Sequence, residues 1–225
     1  MPRISRREAI AMIGTVPLVG GLVARADDKA ALGKKLTPRE KIQERMFPNF
    51  TLTTHEGKQV RFYDDLIKDK IIVLNFMYAN CEGVCPGITA NLAKVQKALS
   101  ARVGRDIFFY SITLKPDKDT PEVLKNYARM HGAGPGWLFL TGKPEDIEMI
   151  RRKQGFVDPD PELDKDTSNH IGNLRYGSEP RMLWAACPGL AAPEFITESI
   201  LWMDPLKKDL SKIDSGRRAM ASTKK

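Results

Sequence analysis

Of 225 residues, only three are cysteine and three histidine. An odd cysteine count permits at most one internal disulfide, so a disulfide-stapled scaffold is excluded. A structural zinc site takes four protein ligands, and no fourth Cys or His is well placed to complete one. A peroxidase would need a Thr and an Arg set around a reactive cysteine, and that set is missing. Long hydrophobic runs are absent too. The apolar stretch 9–23 is interrupted by Gly14, Pro17, Gly20 and Gly21, too short and too glycine-rich for a good membrane span. Basic residues outnumber acidic ones 36 to 28. Even so, there is no aromatic-interleaved basic stripe and no nucleic-acid motif, which argues against a nucleic-acid partner. No internal repeat is found.

The first residues carry an export pattern instead. Ser5-Arg6-Arg7-Glu8 is a twin-arginine start, the interrupted apolar stretch follows, and Ala24-Arg25-Ala26 is a small-x-small cleavage site. The expectation is a signal peptide over 1–26, cleaved after Ala26, and a periplasmic protein peripheral to the membrane at most. The alternative is an uncleaved anchor holding the chain to the membrane and facing the periplasm. Loss of Arg3, Arg6, Arg7, Arg25 and Glu8 with that segment lowers the net charge from +8 to +5. Residues 27–46 read as an N-terminal arm with a helical turn near 38–45. Residues 47–204 read as one domain, and 205–225 as a basic disordered tail.

Within the domain, residues 50–54 and 59–63 flank Glu56-Gly57-Lys58 and predict a β-hairpin. The continuous apolar run 71–78 predicts a strand covered on both faces. From Pro86 the period becomes helical, with Ile88, Leu92, Val95, Leu99 and Val103 on one face and Cys85 at the N-cap. A strand over 106–114, a helix capped at Asp119-Thr120-Pro121, a strand over 137–140 and a helix over 144–154 follow. Residues 157–169 form an acidic loop, read as a solvated lid. Two strands, 170–176 and 182–186, and a helix over 193–203 close the domain. Strands alternating with helices, ended by a hairpin, predict an α/β, thioredoxin-like fold: an N-terminal β-hairpin and a central mixed sheet flanked by helices.

The chemistry concentrates in Tyr78-Ala79-Asn80-Cys81-Glu82-Gly83-Val84-Cys85-Pro86. A helical turn rises about 6 Å over four residues, near the upper part of the Cα–Cα range a disulfide accepts. The pair can therefore be a dithiol, a disulfide or a two-sulfur chelate. A staple closing so short a loop stabilises little, which points to reactivity rather than structure. The positive end of a helix favours thiolate, and thiolates are both nucleophiles and soft metal ligands. His170, where the acidic loop enters a strand, is the expected third ligand. Two thiolates and an imidazole suit Cu(I). His55 and His131 read as solvated, with His131 a candidate transient ligand. Cys187 reads as a small buried hydrophobe.

These residues resemble the Sco/SenC family of copper-binding assembly factors. The resemblance spans roughly 46–204. It rests on Cys81-x-x-x-Cys85-Pro86 after an apolar strand, on Tyr110-Ser111-Ile112-Thr113-Leu114 with Asp119-Thr120-Pro121, and on the distant His170. It implies copper held by Cys81, Cys85 and His170, as Cu(I) first and Cu(II) as the alternative form. It further implies assembly of the dinuclear copper centre of cytochrome c oxidase subunit II, by a metallochaperone without turnover. The alternative is a thiol-disulfide oxidoreductase, with Cys81 and Cys85 as the redox-active pair, that keeps the target's ligand cysteines reduced. The chain departs from the family pattern at Glu82-Gly83, usually Pro-Asp, at Lys115, usually an acid, and at Asn169, usually Asp.

Overall fold

A computed structural model describes residues 36–166 and 172–204. The expected signal peptide, most of the arm, His170 and the basic tail lie outside the described residues. Among the described residues no helix is long and apolar enough to cross a membrane.

Seven strands form one mixed sheet in the order β2-β1-β5-β4-β3-β6-β7. They are β1 (Thr51–Thr54), β2 (Gln59–Arg61), β3 (Ile71–Met77), β4 (Ile107–Thr113), β5 (Trp137–Thr141), β6 (Asn173–Ser178) and β7 (Leu183–Pro188). The centre, β5-β4-β3, is parallel, with Leu74 opposite Tyr110 and Tyr110 opposite Leu138. Antiparallel hairpins complete both sides: β1 runs against β5, and β6 against β3. This is the thioredoxin-like arrangement anticipated from the strand–helix alternation.

The helices are α1 (Pro38–Met46), α2 (Cys85–Ala98), α3 (Pro121–Met130), α4 (Pro144–Lys153), α5 (Pro161–Lys165) and α6 (Pro193–Leu201). They cover two cores on opposite faces of the sheet. One core joins Ile71, Val73 and Met77 of β3 to Ile88, Leu92 and Val95 of α2, Leu124 of α3 and Ile196 and Ile200 of α6. The other joins Ile72, Leu74 and Phe76 to Phe62, Leu66 and Ile67 and to Ile147 and Ile150 of α4. Alternation along a strand buried on both faces explains why 71–77 reads as one unbroken apolar run.

Several boundaries differ from expectation. The second hairpin strand stops at Arg61, because Phe62–Ile67 turns into a wide helical turn closed by Lys68 N–H on Tyr63 O at 2.9 Å. That turn buries Phe62, Leu66 and Ile67, which a strand could not do together. Cys85 is the first residue of α2 rather than its cap, and Val84 holds the cap position. Thr120 caps α3 by accepting from Val123 N–H. Asp119, read as part of that cap, points inward.

The acidic loop is not simply a solvated lid. Residues 161–165 form α5, and the side chain of Asp164 is buried in a paired contact with Arg151 of α4 at 2.7 and 2.8 Å. Glu179 is also buried. It accepts from Arg39 at 2.6 Å, Tyr63 Oη at 2.9 Å and Asp69 N–H at 2.9 Å, tying α1 to the bottom of the sheet.

Candidate metal centre

The parallel strands β3 and β4 end together, with Met77 opposite Thr113, and Leu114 N–H closes the pair on Met77 O at 2.7 Å. Ligand sites of open α/β sheets collect at this carboxyl edge. The chain leaves β3 through Tyr78, turns through Ala79 and Asn80, and reaches Cys81. Three residues, Glu82, Gly83 and Val84, are exposed, and Cys85 then begins α2.

The connection is pinned by a carboxylate. Asp119, 4% exposed, accepts from Ala79 N–H at 3.0 Å and from the Thr113 hydroxyl. A second network fixes the helix start. The Thr89 hydroxyl donates to Cys85 O at 2.9 Å and lies 3.0 Å from Tyr127 Oη of α3. Asn91 then ties α2 to the chain after β7 by donating to Gly189 O and Ala191 O at 3.1 and 3.0 Å.

Cys81 and Cys85 are both buried thiols, and their side chains hydrogen-bond to each other. Their electrostatics differ. Burial raises Cys81, but it is overcome by hydrogen bonds from the Cys85 thiol, from the N–H groups of Cys85 and Gly83, and from Tyr78 Oη. The net effect lowers Cys81 below the ordinary thiol range. Cys85 is pushed up to about 12, first by burial and then because its proton is held against Cys81. Tyr78 is likewise raised to about 12 by burial and by its bond to Cys81. The shared proton is therefore held more tightly at Cys85, and Cys81, at the positive end of α2, is the thiol that ionises first.

Cys81 and Cys85 thus come together as the spacing predicted. His170 lies outside the described residues, and among those described no third Cys, His, Asp or Glu joins the two sulfurs. His55 is not merely solvated: its Nδ1 accepts from Phe139 N–H at 3.2 Å, and burial lowers it below the ordinary histidine value. His131 packs on Tyr127 with ring centroids 4.2 Å apart. Cys187 of β7 is 5% exposed within the same core, and burial raises it to about 11.

Sequence reasoning missed the roles of Tyr78, Thr89, Asp119 and Tyr127. Asp119 had a signal, an acid just before a Thr-Pro cap, but capping explained it locally. Thr89 lies one turn into α2 and Tyr127 nearly two turns into α3, and neither carries a motif. The donor set suits a soft metal: two sulfurs, one of them the easier to ionise, with nearby N–H donors to balance charge.

A thioredoxin-like sheet carrying vicinal thiols at the end of a central strand defines a class of dithiol proteins that bind soft metals or exchange disulfides. Within that class, the SCO1/SenC family model matches residues 38–174. The chain belongs to the SCO1/SenC family. It is 29% identical over 149 residues to the SCO1 protein homolog of Bacillus subtilis, a match covering 56% of this chain and 75% of that one. A Stutzerimonas stutzeri protein named for copper binding is 29% identical over 135 residues, covering 59% of this chain and 64% of that one. Among solved structures, a SCO1/SenC family lipoprotein of Bacillus anthracis is 28% identical with a TM-score of 0.57. That match covers 70% of this chain and 94% of the other.

Proposed function

We propose that this protein is an exported Cu(I) metallochaperone that matures a cuproenzyme, the dinuclear copper centre of cytochrome c oxidase first among candidates. The observation that carries the reading is the Cys81–Cys85 pair, buried, hydrogen-bonded and held by the Ala79–Asp119 anchor at the end of β3. Copper is cargo here. Cys81 is the thiol that ionises more readily, Cys85 gives up its proton as the metal arrives, and loading the pair releases protons.

His170 is assigned as the third ligand. Support comes from the residue two positions on. A Cβ on Gly172 would stand 3.1 Å from Ile88 Cδ1 and 3.4 Å from Val84 Cγ2, and Gly172 O accepts from Gly189 N–H at 2.8 Å. The chain at 172 is thus seated against the first turn of α2. His170 precedes this contact by two residues in the sequence, and that nearness along the chain supports its assignment. The export pattern of residues 1–26 supports a periplasmic setting, where such a partner would be met.

The contrast between the two thiols favours a second reading, thiol–disulfide exchange. Cys81 thiolate would attack a partner disulfide, forming a mixed disulfide and releasing one partner thiolate. Cys85, losing its proton, would then attack the Cys81 sulfur. That step releases the second partner thiolate and leaves a Cys81–Cys85 disulfide.

One set of variants separates the two readings. The reduced protein is expected to bind one Cu(I), Cys81→Ser or Cys85→Ser to bind almost none, and His170→Ala to bind weakly while still forming the disulfide. In a deletion strain at limiting copper, delivery requires that all three variants fail to restore cuproenzyme activity. Full restoration by His170→Ala, with both cysteine variants failing, would replace delivery by thiol reduction.

A further inference from the structure

Lys115 stands where the family resemblance leads one to expect an acid. Its backbone is fixed at the mouth of the sheet. The Lys115 N–H donates to Thr113 Oγ1 at 2.9 Å, and its carbonyl accepts from the N–H groups of Lys118 and Asp119, each at 2.9 Å. The side chain is half-buried and turns toward the cysteine loop, with Nζ 3.8 Å from the centroid of the Tyr78 ring. A lysine held over an aromatic face is attracted by the ring quadrupole. The other end of that ring, the Tyr78 hydroxyl, is hydrogen-bonded to Cys81. A fixed positive charge therefore sits one aromatic ring away from the sulfurs.

That charge acts differently on the two oxidation states of copper. Two thiolates and a neutral imidazole give a Cu(I) complex of net charge −1 and a neutral Cu(II) complex. A nearby cation lowers the energy of the anionic complex relative to the neutral one. A carboxylate at the same position would do the reverse. Negative charge at the same mouth comes from Asp119, bonded to Ala79 N–H, and from Asp166, which also acts on Tyr78.

We propose that Lys115, held over the Tyr78 ring, is a specificity-determining residue that biases the Cys81–Cys85 site toward Cu(I) and against Cu(II). The proposal rests on the copper reading above and says which form of the cargo this chain selects. At several ångströms and a near-surface dielectric, one unit charge is worth on the order of 10-fold in the ratio of the two affinities.

The test uses the purified reduced protein. Cu(I) affinity is measured by competition with a chromogenic chelator, and Cu(II) affinity anaerobically against an amino-acid chelator. Lys115→Gln and Lys115→Met are expected to lower the Cu(I)/Cu(II) affinity ratio on the order of 10-fold, and Lys115→Glu further. Lys115→Arg should preserve it, and Asp166→Asn should raise it. The Met variant keeps the aliphatic packing on Tyr78 without charge, so a contact that matters only for shape would leave its ratio intact. An unchanged ratio in the Met and Glu variants, with melting temperatures near the parent's, would overturn the proposal. If the unsubstituted protein bound neither ion, the copper reading itself would fall and this inference with it.

Discussion

The two thiols of one motif differ because their surroundings differ by a few atoms. Cys81 receives N–H groups from Gly83 and Cys85 and the Tyr78 hydroxyl, whereas Cys85 is packed deeper, 1% exposed. Tyr78→Phe removes one donor and nothing else of size. It is expected to move the titration of Cys81 upward, so alkylation by iodoacetamide at neutral pH slows and the midpoint of its pH–rate curve rises. An unmoved midpoint would show that the backbone donors suffice. Asp119 acts one step further back, through Ala79 N–H. Asp119→Ala orphans a part-buried N–H and is expected to cost about 1–3 kcal/mol in chemical denaturation and to weaken Cu(I) binding. Asp119→Asn keeps a carbonyl acceptor and should recover most of both. If Asn and Ala were equally damaging, the anchor would depend on charge rather than on the hydrogen bond.

At the scale of elements, α4 and α5 are joined by charge. Arg151, 6% exposed, donates to Phe156 O and grips Asp164 with two nitrogens, while Arg152 adds a bond at 2.8 Å. Hydrogen bonds from Arg151, then from Asp158 N–H, hold the Asp164 carboxyl well below its ordinary 3.8. A carboxyl depressed in the folded state contributes stability that is complete above pH 3.8 and is lost as pH falls through the folded value. Asp164→Asn should therefore cost about 3 kcal/mol at pH 7, because it leaves Arg151 buried without its main partner. It should also flatten the loss of stability below pH 3.8, read as denaturation midpoints at successive pH values. Equal acid sensitivity in parent and variant would assign that loss to other carboxylates.

For the whole molecule, the sheet separates a core that carries the site from one that does not. Cys81, Cys85, Ile88 and Cys187 share the first, and Leu66, Leu74 and Ile150 belong to the second. Leu66→Ala should lose about 2–5 kcal/mol of stability and keep the copper stoichiometry of the parent. Cys187→Ser should also keep it, since Cys187 lies on β7, beside Leu174 rather than beside the loop. Copper loss in Cys187→Ser, with circular dichroism unchanged, would move the ligand set away from the one assigned here. Binding of the metal to the folded chain alone should raise the melting temperature, and more so with excess copper.

Local chemistry alone determined much of this protein. The run 71–77 specified a strand buried on two faces, because all its side chains but Asn75 are apolar. The period of Ile88, Leu92 and Val95 specified α2, and vicinal cysteines between those two elements marked the site. Pairing across the sheet decided what remained. Glu179 and Asp164 look like exposed turn and loop acids in sequence, yet the side chain of each is buried against an arginine of another element, Arg39 of α1 and Arg151 of α4. Asp119 looks like a cap and instead anchors a loop forty residues earlier. Whether an acid is solvated, capping or buried depends on which donors the fold brings within 3 Å of it, and these donors belong to other elements, 13 to 140 residues away in the chain. The same holds for Lys115, whose side chain meets Tyr78 only because β3 and β4 run parallel and end together.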